Sequence, residues 1–464
     1  MAMIPMGMIP SHYARVKGND ALCLTYPDGE LTWSQLESRA NRRANMFQTL
    51  GVGKDDFITV ALENGIVFHE ICFALWKLGA TPHIVSHRLP AAELKAILEL
   101  LKPAAFVATT AADAPYKFCI SPDLDTASYP DSIPEVNVAK YWKAMSSGGS
   151  TGRPKIIVDH QPAEVDPEEW FIDLPQNSCV LNPGPLYHNV PFVMTHHGLF
   201  RGNHIVGMSR FDAAESLRLV EKHRASWVMM VPTMMHRIWR LSEAVRTSFD
   251  ISSLGVVSHV ASPMPVWLKE AWIKWLGADR IYELYGGTEG TGGTWIRGDE
   301  WLAHKGTVGK FIRDAKVRVL NDEGADCESE EIGEVYLMPA TGPGSTYHYI
   351  GAEPKVADGG WETLGDMGWL DEEGYLYLAD RRTDLIISGG ANIYPAEVEA
   401  ALAEHPEVDT AVAIGLPDED LGQIVHAIVR LRRSDRIDVV EEELRNFVEE
   451  RLARYKTPRT YEFV

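Results

Sequence analysis

The chain has 464 residues, with 65 Asp+Glu against 44 Lys+Arg and a formal net charge of -21. At 45% hydrophobic and 23% charged it is neither disordered nor fibrous, and its length suits roughly two to four domain-sized units with a large core. The acidity excludes a sequence-independent nucleic-acid binder and a binder of anionic membranes, which both need a basic face; a local pocket can still hold an anion.

The apolar opening MAMIPMGMIP is short, holds two prolines and lacks a basic segment, so it is expected to be an ordered or frayed terminus and not a signal peptide. No stretch reaches the ~18–20 apolar residues of a membrane-spanning helix. Thr32-Trp33-Ser34-Gln35 has capping-box spacing and predicts a helix running to about Gly51. A strand over Phe57 to Leu62, a helix from His69 to Leu78 stopped by Gly79, a helix over Leu94–Leu101 and a strand over Ala105–Ala108 follow. This alternation predicts a parallel sheet with helices on its faces. Residues 109–140, rich in Ala, Pro, Asp and Ser, are expected to be irregular. Trp227 to Pro232 predicts a strand, Met234 to Val245 a helix, and the acidic segment 321–334 a solvated hairpin edge.

Near 380 the texture changes. Asp380-Arg381-Arg382-Thr383-Asp384 is a charged cluster between apolar runs, which fits a linker. Beyond it strands at 385–388, 410–415 and 424–431 and helices at 396–404 and 439–454 predict a small second domain, with a strand-like ending at Tyr461–Val464. The five cysteines (Cys23, Cys72, Cys119, Cys179, Cys327) are scattered without a CxxC pair, which points to free thiols in a cytoplasmic protein.

Three clusters carry the chemistry. In Ser146-Ser147-Gly148-Gly149-Ser150-Thr151-Gly152-Arg153-Pro154-Lys155, glycines let backbone N–H groups converge on an anion while hydroxyls and two cations add donors and charge. The GK[ST] ending of a P-loop is absent. In Tyr285-Gly286-Gly287-Thr288-Glu289-Gly290 an aromatic, a hydroxyl and a carboxylate share one glycine-rich turn, suited to a base, a phosphate oxygen and Mg²⁺. In Thr363-Leu364-Gly365-Asp366, an Asp at a loop tip can accept the hydroxyls of a ribose, and Arg381 follows fifteen residues on.

Together with Pro185-Leu186-Tyr187-His188, Val231-Pro232-Thr233 and Ser388-Gly389-Gly390-Ala391-Asn392-Ile393-Tyr394, these clusters resemble, in order and over nearly the whole chain, the adenylate-forming superfamily. That group contains acyl-CoA synthetases, luciferases and the adenylation domains of peptide synthetases. The resemblance implies an α/β fold: a large N-terminal domain of layered α/β/α sheets over 1–380, a hinge at 381–384, and a small mobile α+β lid over 385–464. It implies a two-step ligase that uses ATP, Mg²⁺ and coenzyme A to turn a carboxylic acid into an acyl-adenylate and then a thioester.

By the same resemblance Ser147, Gly148, Gly149, Ser150, Thr151, Gly152 and Lys155 hold the β,γ-phosphates. Thr288 contacts the α-phosphate, Glu289 binds Mg²⁺, and Tyr285 with Gly286 and the loop Ala261-Ser262-Pro263 hold adenine. Asp366 and Arg381 take the ribose, His188 gates the acyl tunnel or touches the carboxylate, and Ser388, Gly389 and Gly390 face the pantetheine arm. Partners are a small carboxylic acid, ATP and CoA, with no nucleic acid and no membrane span; a homodimer is compatible with this.

The sequence departs from the family in three places. Gly148 replaces a serine, Thr383 occupies a hinge position usually held by Asp or Lys, and the sequence ends before the family's C-terminal lysine. The lid is therefore expected to be incomplete, by C-terminal truncation in the favoured account, and adenylation slow. The five glycines at 286, 287, 290, 292 and 293 suggest pocket volume for a bulky acid, such as a bile, steroid or terpenoid acid. A long-chain or aryl acid, and an adenylate-binding protein with impaired adenylation, are the alternatives.

Overall fold

A computed structural model describes residues 3–109, 119–148, 154–381, 384–388, 391–418, 421–432 and 437–464. The capping box is formed: Thr32 Oγ1 accepts from Gln35 N (3.3 Å), and Gln35 Oε1 accepts from Thr32 N (2.9 Å), opening the helix Trp33–Thr49. The next helix, Ile66–Leu78, starts three residues before the expected His69. Its first N–H donates to Asp28 Oδ2 (3.1 Å), a side chain 38 positions away that local pattern cannot reveal. Gly79 ends it in the left-handed region (φ 75°), as expected of a C-terminal glycine.

Between Met234 and Val245 the expected single helix is two, Pro232–Trp239 and Glu243–Arg246. Ser242 Oγ accepts from Val245 N, so a new N-cap restarts the chain where one helix was expected to continue. The strand before it is Trp227–Met230, and Pro232 opens the helix instead of closing the strand.

Two large mixed sheets form the N-terminal body. In one, the strands Leu22–Tyr26, Cys179–Asn182, His204–Gly207, Trp227–Met230, Val256–His259 and Ile281–Gly286 run parallel. In the other, Phe57–Ala61, Thr81–Ile84, Ala105–Ala108 and Ala144–Gly148 are parallel, and Pro154–Asp159 and Tyr347–Ile350 are added antiparallel. The helices Trp33–Thr49, Ile66–Leu78 and Asn189–Phe200 contribute to one core with both sheets. Ile66–Leu78 is buried at nearly every position, its polar residues His69, Glu70 and Lys77 included, unlike a surface helix.

An antiparallel sheet follows over Thr307–Arg381, and the acidic 321–334 segment is the hairpin turn at its edge, as expected. The C-terminal sheet is built from Ile386–Ser388, Ala391–Ile393, Val408–Asp418, Gly422–Leu431 and Thr460–Phe463, packs on helices Pro395–Ala403 and Ile437–Glu449, and has its own core. The final strand pairs parallel with Gly422–Leu431 and so extends the sheet. All five cysteines are unpaired. No helix among the described residues is long and apolar enough to cross a membrane.

Four imidazoles, His69, His83, His196 and His259, are fully buried. Burial pushes each below the ordinary histidine value, to about 3 for His83 and His196 and about 4 for His259. A folded value below the unfolded one means stability is complete above about pH 6.5 and is lost as pH falls towards the folded values. Each such group contributes a slope of about 1.4 kcal/mol per pH unit in that window. The denaturation midpoint is therefore expected to drop steeply from pH 6.5 to pH 5, and His196→Gln to shallow that slope by about one proton.

Candidate active site

The hairpin Ala144–Gly148/Pro154–Asp159 presents its second strand to a cavity of about 2620 Å³. Strand alternation explains which side chains face it: Lys155, Ile157 and Asp159 line the cavity, whereas Ile156 and Val158 point into a core. In register, Ser147 faces Lys155 and Gly148 faces Pro154, so the hairpin draws both ends of the hydroxyl-rich loop together. Gly149, Ser150, Thr151 and Gly152 lie outside the described residues. The first strand is braced from behind: His83 Nε2 lies 2.8 Å from Ser146 Oγ, and His83 Nδ1 lies 2.9 Å from Thr59 Oγ1.

The strand Ile281–Gly286 delivers Tyr285 to the same cavity and then opens into the expected turn carrying Thr288 and Glu289. Glu289 is 7% exposed. Its Oε1 accepts from Tyr349 OH (2.7 Å) and from Lys155 Nζ (3.4 Å), and Lys155 also donates to Tyr349 OH (3.0 Å) while standing 4.1 Å above the Tyr349 ring. Burial and the Glu289 charge raise the Tyr349 phenol far above its ordinary value, so it stays a neutral donor. Tyr349 belongs to no sequence motif recognised above. It lies 194 positions from Lys155 and 60 from Glu289, and only the pairing of Tyr347–Ile350 with the hairpin (Tyr349 opposite Ile157) brings it in.

Asp366 corrects one expectation: it is not at a loop tip but inside the strand Trp361–Leu370. Gly365 (φ 85°), its N–H donating to Thr363 Oγ1, gives this stretch a turn-like composition. Antiparallel pairing with Leu376–Arg381 nevertheless holds it in the sheet, with a register break beside Met367. Asp366 is the direct cross-strand partner of Arg381, and its Oδ2 accepts from Tyr285 OH at 2.7 Å. Thus Asp380 and Arg381, expected in a linker, end a strand. Thr383, Gly389 and Gly390 lie outside the described residues.

Ala261, Ser262 and Pro263 also line the cavity, and Ala261 sits at φ 79°, a left-handed conformation that costs a non-glycine residue energy and recurs at ligand sites. His188 is the N-cap residue of the helix Asn189–Phe200 and is exposed to the cavity, while the surrounding protein lowers its imidazole below the ordinary value. Lys456, in the turn Arg454–Lys456, and Glu397, on the helix Pro395–Ala403, are paired through both carboxylate oxygens (2.7 and 2.6 Å) and line one wall beside the C-terminal sheet. Ser388 stands on that sheet and does not line the cavity.

Two of the five glycines in the Tyr285–Gly293 hairpin serve a purpose other than pocket volume. A Cβ at Gly287 would fall 2.4 Å from Leu364 Cδ1, and one at Gly293 would fall 2.9 Å from the Tyr285 carbonyl oxygen. These positions admit close protein packing and give no argument for a bulky ligand.

Residues 11–348 match the AMP-binding enzyme family and residues 397–464 its C-terminal domain. The chain is 31% identical to a feruloyl-CoA synthase of Amycolatopsis sp, covering 99% of this chain and 94% of that protein. It is 29% identical to the long-chain-fatty-acid–CoA ligase FadD13 of Mycobacterium tuberculosis, covering 93% and 89%. The fold matches o-succinylbenzoate CoA synthetase (MenE) from Bacillus subtilis, solved with its acyl-adenylate intermediate, with a TM-score of 0.83 and 24% identity over 100% of this chain and 95% of that one.

Proposed function

Because the chain belongs to the AMP-binding enzyme family, we propose that its cavity activates a bulky carboxylic acid, polycyclic acids included, and passes the acyl group to coenzyme A. The enzyme is an ATP-dependent acid–thiol ligase that uses ATP, Mg²⁺ and CoA. The observation that carries the residue assignments is the meeting of Lys155, Tyr349 and Glu289 at one wall of the cavity.

Lys155 and the loop from Ser147 to Gly152 hold the β,γ-phosphates, and Thr288 donates to the α-phosphate. Tyr285 stacks adenine while its hydroxyl orients Asp366, and Asp366 with Arg381 takes the ribose. Glu289, a nearly buried oxygen donor beside the phosphate-side lysine, fits Mg²⁺, whose usual environment is one carboxylate plus substrate phosphates. Bound there, the ion supplies neutralisation of phosphate charge.

In the first step a carboxylate oxygen of the acid bonds to the α-phosphorus as the bond to pyrophosphate breaks. No general base is needed, because the acid is already ionised at neutral pH. Neutral His188 positions the carboxylate and gates its entry. In the second step the CoA sulfur bonds to the carbonyl carbon, AMP leaves and the thiol proton is released to solvent. A division near 381–384 lets the C-terminal unit reorient between the steps, as lids in such enzymes do. ATP and CoA as substrates, and five free thiols, support a cytoplasmic location.

The cavity exceeds the ~300–1,000 Å³ of an ordinary ligand pocket more than twofold, which supports a large acid beside the nucleotide. The test is a screen of polycyclic, aryl and long-chain acids with ATP, Mg²⁺ and CoA, reading AMP release. The best substrate is expected among the polycyclic acids, and a best substrate among the aryl or long-chain acids would refute that choice. Tyr349→Phe removes two charge-assisted hydrogen bonds, to Glu289 and from Lys155, and is expected to weaken Mg·ATP binding about tenfold, read by calorimetry, with ATP binding in EDTA less affected.

A further inference from the structure

The helix Asn189–Phe200 turns one face to the cavity through Val190, Val193, Met194 and His197, spaced as one stripe of a helix. His197 lies nine positions after His188, which places it about 13 Å further along the helix. Its ring is stacked on Phe171 (centroids 3.9 Å, interplanar 3°) and meets the edge of Trp142 at 5.6 Å. Arg313 lies 5.3 Å from the Phe171 centroid, and buried Lys143 pairs with Asp159 at 3.0 Å. All of these side chains line the cavity. No hydrogen bond from the described residues reaches either ring nitrogen of His197, which is partly exposed at the cavity wall. Burial, then the cations of Arg313, Arg201 and Lys143, push its pKa down to about 3, so the imidazole offers one N–H donor and one acceptor.

Resting on the ligase reading above, the geometry points to His197 as the specificity-determining residue that selects acids carrying a polar oxygen at the end distal to their carboxylate. The surrounding wall is aromatic and aliphatic (Phe171, Met194, Trp227, Met229), so a hydrocarbon body packs there without discrimination. A neutral imidazole fixed between Phe171 and Trp142 is different: an acid without an oxygen there leaves the ring desolvated and unpaired. A site built to hydrogen-bond a substrate rejects the analogue that lacks the group far more strongly than an apolar pocket rejects a missing methylene. Arg313 favours an acceptor oxygen at the same end. The substrate class is therefore an aryl or polycyclic acid with a distal hydroxyl, keto or carboxylate group.

The test uses non-hydrolysable acyl-sulfamoyladenosines, which report acyl-adenylate binding without chemistry. Three matched acyl pairs differ only in the distal oxygen: cinnamoyl and 4-hydroxycinnamoyl, decanoyl and 10-hydroxydecanoyl, cholanoyl and 3-hydroxycholanoyl. Acetyl-sulfamoyladenosine reports the nucleotide half alone. The wild-type chain is expected to prefer the oxygenated member of its best pair by about tenfold or more in Kd. His197→Leu should reduce that preference to within about twofold while leaving the acetyl compound unchanged, and His197→Gln should retain it. Equal binding of both members by the wild type, or a preference intact in His197→Leu, overturns the inference. Failure of the wild type to bind any acyl-sulfamoyladenosine overturns the ligase reading instead.

Discussion

Replacing Lys155 with alanine lowers adenylate formation by about 10²–10³-fold, the loss found when a preorganised charge on a developing oxyanion is removed. Lys155 is held by strand alternation on the cavity face, 3.0 Å from Tyr349 OH and 3.4 Å from Glu289. Glu289 loses its counter-charge in the variant, so a nearly buried carboxylate faces the incoming phosphates alone. Arginine is a poor replacement, since its planar fork needs more room than an ammonium 4.1 Å above the Tyr349 ring. The Lys155 side chain is 25% exposed and faces the cavity, so the fold is retained. Single-turnover pyrophosphate release measures the effect, and a loss below about threefold would remove Lys155 from the proposed chemistry.

Glu70→Ala costs about 3–5 kcal/mol of stability, the range for breaking a buried ion pair from one side. Glu70 and Arg43 are 2% and 6% exposed; Glu70 Oε2 accepts from Arg43 Nε at 2.6 Å and Oε1 accepts from Arg39 Nη1 at 3.1 Å. Arg43 also donates to the Pro122 carbonyl at 3.1 Å, so the pair ties the helices Trp33–Thr49 and Ile66–Leu78 to the irregular segment after residue 119. Without the carboxylate a guanidinium stays buried with one carbonyl partner. The double variant Arg43→Met/Glu70→Leu, which removes both charges, is expected to recover most of the loss. Chemical denaturation of the three proteins checks this, and a Glu70→Ala loss below about 1 kcal/mol would show that water reaches the pair.

Local chemistry made much of the molecule legible. The Thr32–Gln35 capping box and Gly79 declare themselves within a turn of chain, and so do the strands at 57–61 and 105–108. What failed needed distant partners. The start of the helix at Ile66 depends on Asp28, and Asp366 is a strand residue because Arg381 lies opposite it. The site followed the same rule. Lys155, Tyr285, Thr288, Glu289 and Asp366 stand in recognisable clusters and converge on the cavity. Tyr349 and His197 carry no cluster of their own, and only sheet pairing in one case and helix phase in the other brings them to it.

The chain's central property is transfer of an activated acyl group to a thiol. It is tested most directly by supplying a synthetic acyl-adenylate of the best acid together with CoA and following both products by mass spectrometry. Saturable formation of the CoA thioester and AMP in equal amounts, slowed by variants at the cavity, is the expected result. Tight binding of the acyl-adenylate with no thioester above the uncatalysed reaction would contradict it and leave the protein an adenylate binder.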